Sequence, residues 1–83
     1  MTILYFAWLR ERTKTGEETV PLPPGVSDVA GLIEWLKARG PNYAEAFREM
    51  TAVRVAVNQE HVPVTAPLKD ADEVAFFPPV TGG

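Results

Sequence analysis

The pattern of apolar and polar residues changes several times along the chain, and each stretch predicts a different element. Residues 2–9 form a continuous apolar run that ends in charged residues, which predicts a central strand buried on both faces. Residues 17–22 alternate in polarity and predict a shorter hairpin partner, with Pro21 keeping that strand at a sheet edge. Residues 28–39 carry apolar side chains at helical spacing before Gly40, and this spacing predicts the main helix.

The second half of the chain predicts a shorter helix and three more strands. Asn42 stands where it can cap a helical stretch that reaches Met50. Polar turns separate the strands that follow, and Asn58 suits the first of these turns because asparagine tolerates left-handed backbone. The strands are predicted at residues 53–57, 61–64 and 74–77.

Strands therefore surround one main helix in the order of the sequence. This order predicts an α+β fold in which a mixed sheet packs on one main helix plus a short helix. The first and last strands are the most apolar, so we expect both of them to be central in the sheet. They would lie parallel to each other if the helix connects them.

Length and composition exclude several classes of protein. A chain of 83 residues forms one domain, because a second core needs a longer chain. The absence of Cys excludes disulfides, and the cytoplasm is the expected location. No apolar run approaches the roughly 18 residues of a membrane span, and the first residues lack the basic start of a signal peptide. A net charge of −3 with scattered Lys and Arg argues against nucleic-acid binding.

The residues that usually perform catalysis are sparse. Ser27 precedes the main helix, where its hydroxyl is expected to cap the helix rather than to act as a nucleophile. His61 has neither a second His nor a Cys with which to share a metal ion, so it is interpreted as a surface residue and no metal site is expected. Asp70 and Asp72 are a conceivable acid–base pair, but a hydrated turn is the favoured interpretation. The glycines form no phosphate-binding motif.

The last residues of the sequence are unusual for a chain terminus. Domain termini are usually polar and frayed, whereas this one is apolar and stiffened by proline, so we expect a partner to bind it. Alternation along the last strand places neighbouring residues on opposite faces, and we expect Phe77 to point outward and Phe76 inward. The segment comprises Phe76, Phe77, Pro78, Pro79, Val80, Thr81, Gly82 and Gly83.

The glycines at the end of this segment suit a narrow channel in a partner protein. Gly82 and Gly83 have no side chains, which leaves the carboxylate of Gly83 as the functional group. Four extended residues starting at Val80 span about 14 Å, enough to reach into a partner's active site. We therefore expect residues 1–78 to form the folded domain and residues 79–83 to form a flexible Gly-Gly tail.

Nearly the whole chain resembles the MoaD family, the small subunits of molybdopterin synthase, which are related to the thiazole sulfur carrier ThiS and to ubiquitin. The closing string from residue 75 to residue 83 is highly specific for this family. The opening string is weaker evidence on its own. The segments that carry the resemblance are residues 5–7, 9–11, 55–58, 67–68 and 72–83.

The resemblance implies a β-grasp, ubiquitin-like fold and the role of a sulfur carrier without an active site of its own. In the family, the carboxylate that corresponds to Gly83 is adenylated with ATP by a separate ubiquitin-activating-like enzyme, MoeB, and is then converted to a thiocarboxylate. The large subunit, MoaE, uses that sulfur on cyclic pyranopterin monophosphate. The chain itself is expected to bind no cofactor, because ATP is used by the activating partner.

The partner-binding residues are expected near the tail. We expect Phe77 to contact both partners, with lesser contributions from Phe76, Pro78 and Pro79. Arg10, interpreted as the end of the first strand, is expected to face an acidic rim on a partner. Two alternatives stay open: a sulfur carrier of the thiazole pathway, and a ubiquitin-like modifier that attaches Gly83 to lysine side chains.

Overall fold

The computed structural model of the chain describes residues 1–79, in which short strands and helices alternate. A single 3₁₀ turn, Met50–Ala52, precedes the third strand. The strands are β1 (Thr2–Tyr5), β2 (Glu17–Thr19), β3 (Arg54–Val57), β4 (Glu60–His61) and β5 (Glu73–Phe77), and the helices are α1 (Trp8–Thr13), α2 (Val29–Lys37) and α3 (Pro41–Ala46).

The strands form one mixed sheet in the order β2-β1-β5-β3-β4. The central pair, β1 and β5, is parallel, with a register that runs from Thr2 opposite Glu73 to Tyr5 opposite Phe76. The other pairs are antiparallel. The first and last strands are therefore central and parallel, and the predicted α+β arrangement is confirmed.

The core lies between the sheet and α2. The predicted helical spacing is confirmed, since all four apolar residues of that face are at most 4% exposed. Phe76 is completely buried and lies at the centre of an aromatic cluster, with its ring centroid 4.9 Å from that of Phe47 and 6.1 Å from that of Tyr5. The apolar face of α2 consists of Val29, Leu32, Ile33 and Leu36.

The first predicted strand is only half correct. β1 ends at Tyr5, and residues from Trp8 onward form α1, in which Leu9 is completely buried. β1 also buries one face rather than two, because its burial alternates along the strand. A buried helix and a buried strand give the same continuous apolar run, so the run did not reveal the change of direction. That change occurs at Ala7, whose φ of 55° and ψ of −132° are rare for a residue with a side chain.

Side-chain hydrogen bonds to the backbone accompany two element ends that differ from the prediction, one local and one long-range. Asp28, not Ser27, caps α2, since its Oδ1 accepts a hydrogen bond of 2.8 Å from the Gly31 N–H. β2 stops at Thr19 instead of reaching residue 22, and the Leu22 N–H donates to Asp70 Oδ1 at 2.8 Å.

The predicted second helix is also displaced. α3 begins at Pro41, a favourable first position for proline, and it ends at Ala46 before the 3₁₀ turn. The side chain of Asn42 does not cap it, because its Nδ2 donates to the Thr13 carbonyl at 3.1 Å.

The turn and strands that close the sheet agree more closely with the prediction. Asn58 and Gln59 both adopt positive φ, as a tight two-residue hairpin turn requires. β4 occupies only Glu60–His61, shorter than the predicted residues 61–64, because the chain leaves the sheet before Pro63, which has no N–H to donate. The last strand begins one residue earlier than predicted, at Glu73.

The strained backbone at Ala7 predicts that Ala7→Gly raises stability. Relief of the positive φ is worth about 1 to 3 kcal/mol, and the added freedom of the unfolded chain offsets about 0.4 to 1 kcal/mol of it. We expect a net gain of about 1 kcal/mol in the free energy of unfolding in urea. Ala44→Gly, in the interior of α3, is the matched control and should lose about 1 kcal/mol. Equal losses in both variants would show that Ala7 carries no strain.

Candidate functional site

The tail leaves the domain from the central strand β5. Phe77, Pro78 and Pro79 follow one another at the end of this strand and are each half-buried. Val80, Thr81, Gly82 and Gly83, which include the expected reacting carboxylate and the residues expected to thread a channel, lie outside the residues that the structure describes. The site is therefore described up to Pro79.

The end of β5 separates the two phenylalanines as expected. Phe76 has no exposed surface, whereas Phe77 is half-buried on the opposite face of the sheet. Phe76 therefore supports Phe77 from within the core rather than presenting its own ring to a partner.

Phe6 lies beside Phe77. The Phe6 N–H donates to the Phe76 carbonyl at 3.0 Å, which continues the parallel ladder one residue past Tyr5. Since Tyr5 and Phe76 face the core, Phe6 and Phe77 lie on the other face. Phe6 is 48% exposed and is one of the most exposed large apolar residues of the part described.

We call this outer surface the exit face. The register places its apolar residues side by side on the three central strands β1, β5 and β3, at the end from which the tail leaves. An apolar surface of this kind next to a tail is typical of a binding site. The exit face consists of Phe6, which is exposed, of Leu4, Ala75 and Phe77, which are half-buried, and of Ala56, which lies buried between its neighbours.

Basic residues border the exit face. Arg54 is directly opposite Phe77 on β3, and the ring of His61 lies 5.1 Å from the ring of Phe77. Arg10 borders the other side, where it lines an open groove with Phe6 and packs against Gly16. Arg10 belongs to α1, so its predicted place at the end of the first strand is wrong, although it remains next to the exit face.

The acids of the turn before β5 hold the backbone together. Asp70 binds the Leu22 N–H. Asp72 accepts hydrogen bonds from Asn58 Nδ2 at 3.0 Å and from the Lys69 N–H at 2.8 Å, and these bonds lower the pKa of the Asp72 carboxyl group. Both carboxylates are thus engaged in structure and are poorly suited to proton transfer.

One buried titratable group lies far from this turn. The Tyr5 hydroxyl donates to Glu18 Oε2 at 2.7 Å, and burial together with this bond raises the pKa of Tyr5. Arg39 binds the other Glu18 oxygen at 2.8 Å and lies over the rings of Trp35 and Tyr43. The cluster links β1 and β2 to the end of α2, which is a structural role.

Within residues 1–79, no group of three His, Asp or Glu side chains is arranged to hold a metal ion. The helices of this part of the chain are too short or too polar to cross a membrane.

The architecture defines the class of protein. A mixed sheet that packs on one main helix, with parallel first and last strands at its centre, is the β-grasp fold of ubiquitin-like proteins. The family model of the ThiS family matches residues 3–83, and the chain belongs to this family.

Curated relatives are similar over the full length of the chain. The molybdopterin synthase sulfur carrier subunit of Haemophilus influenzae is 36% identical over 83 residues, which cover 100% of this chain and 99% of that protein. The protein of the same name from Escherichia coli is 38% identical over 81 residues, which cover 98% of this chain and 96% of that protein.

Solved structures share the fold. A protein from Pyrococcus furiosus, described as subunit 1 of a molybdopterin converting factor, has a TM-score of 0.76 and 36% identity to this chain, with 95% of each chain covered. The small archaeal modifier protein 1 of Methanosarcina acetivorans has a TM-score of 0.73 and 25% identity, with 99% of this chain and 94% of that chain covered. A complex of subunits 1 and 2 of the molybdopterin-converting factor from Helicobacter pylori, at 22% identity, contains a chain with the same fold.

Three residues in or beside the exit face, Phe6, Arg54 and His61, are not predicted from the sequence. Phe6 was assigned to a strand buried on both faces, and Arg54 and His61 were not connected with Phe77. The alternation of Tyr5 and Phe6 was the available signal for Phe6, but it becomes informative only when the end of β1 is known. The contacts of Arg54 and His61 depend on the pairing of β3 with β4 and β5, which no local pattern reveals.

Proposed function

We propose that this chain is the sulfur carrier of a molybdopterin synthase and that Gly83 is the residue that carries the sulfur. The observation that supports the proposal best is the position of the end of β5 at the centre of the sheet, next to a partly exposed apolar face, in a chain whose full-length relatives are named sulfur carrier subunits. The sequence of the tail, with two glycines at its end, suits passage through a narrow channel.

The proposed chemistry makes the Gly83 carboxylate reactive in two steps. A carboxylate oxygen attacks the α-phosphorus of ATP on the activating enzyme, pyrophosphate leaves, and an acyl-adenylate forms. A hydrosulfide ion then attacks the acyl carbon, AMP leaves, and loss of the proton on sulfur yields the thiocarboxylate. Adenylation is needed because a carboxylate oxygen is a poor leaving group and AMP is a good one.

The thiocarboxylate then acts in the large subunit. We propose that its sulfur is transferred there to cyclic pyranopterin monophosphate. The activating enzyme, which uses ATP, and the large subunit supply the catalysis. This chain supplies only the reacting end and the surface that positions it. A cytoplasmic location is consistent with the use of ATP and with the absence of Cys.

The exit face is the proposed docking surface for both partners. Phe77 and Phe6 provide apolar area next to the tail, and Pro78 and Pro79 stiffen the chain where it leaves the domain. Arg10 lies at the border, where a charge mainly changes the rate of association.

A protein modifier is the second candidate. The likeness to the small archaeal modifier protein 1 of Methanosarcina acetivorans favours it. In a modifier the Gly83 acyl group passes to a lysine amine and forms an amide, whereas in a carrier it becomes a thiocarboxylate. The thiazole-pathway carrier is a third candidate, supported by the name of the matching family model.

The docking proposal predicts that Phe77→Ala weakens the complex without unfolding the domain. Loss of an aromatic anchor at an interface costs about 2 kcal/mol or more of binding free energy. Because Phe77 is only half-buried, the melting temperature of the variant should differ little from that of the original chain. Isothermal titration with the large subunit and thermal unfolding measure the two effects.

Phe76→Ala is the matched control, because it removes the same ring from the core side of the same strand. It should lose about 3 to 5 kcal/mol of stability. If Phe77→Ala binds as tightly as the original chain, or unfolds as readily as Phe76→Ala, Phe77 is not an anchor.

The carrier proposal predicts that deletion of Gly83, or addition of one Ala after it, abolishes sulfur transfer. Neither change touches the core, so the free energy of unfolding should shift by no more than about 0.5 kcal/mol. The deletion moves the carboxylate by about 3.5 Å, and an error of 1 Å can reduce a rate about a hundredfold. The extension replaces the Gly83 carboxylate by an amide.

Each variant is incubated with the activating enzyme, ATP and a sulfur source, and adenylation, thiocarboxylate mass and pterin conversion are measured. Affinity for the large subunit serves as the control that docking survives. Near-normal thiocarboxylate formation by either variant would exclude a reaction that depends on the position of the Gly83 carboxylate.

A further inference from the structure

Two basic side chains flank Phe77 on the exit face. Arg54 is the direct cross-strand neighbour of Phe77 in the pairing of β3 with β5. His61 pairs with Ala56 on the other side of β3, and its ring centroid lies 5.1 Å from that of Phe77, with the two planes tilted by 49°. Any surface that covers Phe77 must therefore also meet Arg54 and His61.

The backbone restrains the position of Arg54. Its Nη1 donates to the carbonyl oxygens of Thr51 and Val53, both at 3.2 Å. The guanidinium group is thus held near the start of β3, close to the end of β5 where the tail leaves. Carbonyl groups accept hydrogen bonds from the guanidinium but do not neutralise its charge.

The acidic groups near this pair do not pair with it. Glu49 accepts a hydrogen bond from the Thr51 hydroxyl at 3.3 Å instead. Glu60, next to His61 on β4, lies on the opposite face of the strand because neighbouring residues alternate. Glu73 shares the face of Phe77, but it is four residues away along β5, about 13 Å. In the described part of the chain, neither Arg54 nor His61 forms an ion pair.

A partner that buries Phe77 removes water from these two basic groups. Burial of an unpaired charge is unfavourable, whereas a carboxylate placed against the charge offsets that cost. A protonated imidazole carries a positive charge and a neutral one does not, so His61 adds a charge to the site only when it is protonated.

From this geometry we propose that the surface of the large subunit that receives Phe77 carries a carboxylate facing Arg54 and His61, and that docking strengthens when His61 is protonated. The inference rests on the proposed function, because it specifies the partner of the same exit face. It makes Arg54 and His61 determinants of partner specificity, since a neutral or basic receiving surface would leave their charges unpaired.

The test is the affinity of the full chain for the large subunit from the same organism, measured by isothermal titration at about pH 6 and about pH 8. For the unmodified chain we expect the dissociation constant to be about fivefold lower at the lower pH. This factor corresponds to the upper end of the free energies that partly exposed ion pairs contribute. His61→Gln should abolish this difference, and Arg54→Gln should weaken binding at both pH values.

Lys69→Gln is the matched control, because it removes an exposed positive charge at the opposite end of β5 and should leave both affinities unchanged. Comparison with His61→Gln also removes any contribution from titrating groups of the partner. Thermal unfolding of each variant shows whether the domain stays folded.

The outcomes separate this inference from the proposed function. If a complex forms but its affinity does not depend on pH, or if His61→Gln retains the full dependence, the acidic receiving surface is excluded while the carrier role stands. Tighter binding by Arg54→Gln would exclude it as well. If no complex forms at either pH, both the inference and the proposed function fail.

Discussion

The parallel pairing of β1 with β5 is the constraint on which the rest of the structure depends. It places the two ends of the described chain side by side at the centre of the sheet, with Tyr5 opposite Phe76 and both buried in the core. A strand with neighbours on both sides and a buried face cannot shift its register without moving its apolar side chains to the wrong face. The point at which the chain leaves β5 is therefore fixed by the core.

The same pairing produces the exit face. Because Phe76 is held inward, Phe77 must lie outward, and continuation of the ladder brings Phe6 beside it. The chain then turns sharply at Ala7 into α1, and this turn ends β1 directly after Phe6. Arg54 and His61 border the surface because β3 and β4 extend the sheet on that side. The proposed docking surface thus follows from sheet register, and Gly83, the proposed reacting residue, follows it in the sequence.

Local patterns predicted the parts of the fold that local forces determine. The main helix was predicted from its apolar spacing, and the outward position of Phe77 from alternation along one strand. The patterns failed where a distant partner decides the outcome. The first strand was predicted to reach residue 9 because a buried helix has the same apolar run. The edge strand was predicted to reach residue 22, but it ends at Thr19, and the Leu22 N–H binds Asp70, 48 residues away. In the candidate site, Phe6 and the flanking basic residues were missed because strand pairing brings them to Phe77, whereas the proposed role of Gly83 came from the resemblance of the closing string.

The central claim is that this chain carries sulfur on Gly83, and intact-mass measurement tests it most directly. The chain is purified from its own cells and from cells that lack the activating enzyme. The account predicts a species in which one sulfur replaces one oxygen, located at Gly83 by fragmentation and absent without the activating enzyme. A lysine adduct joined through Gly83, with no sulfur-containing species, would contradict the account and identify a protein modifier instead.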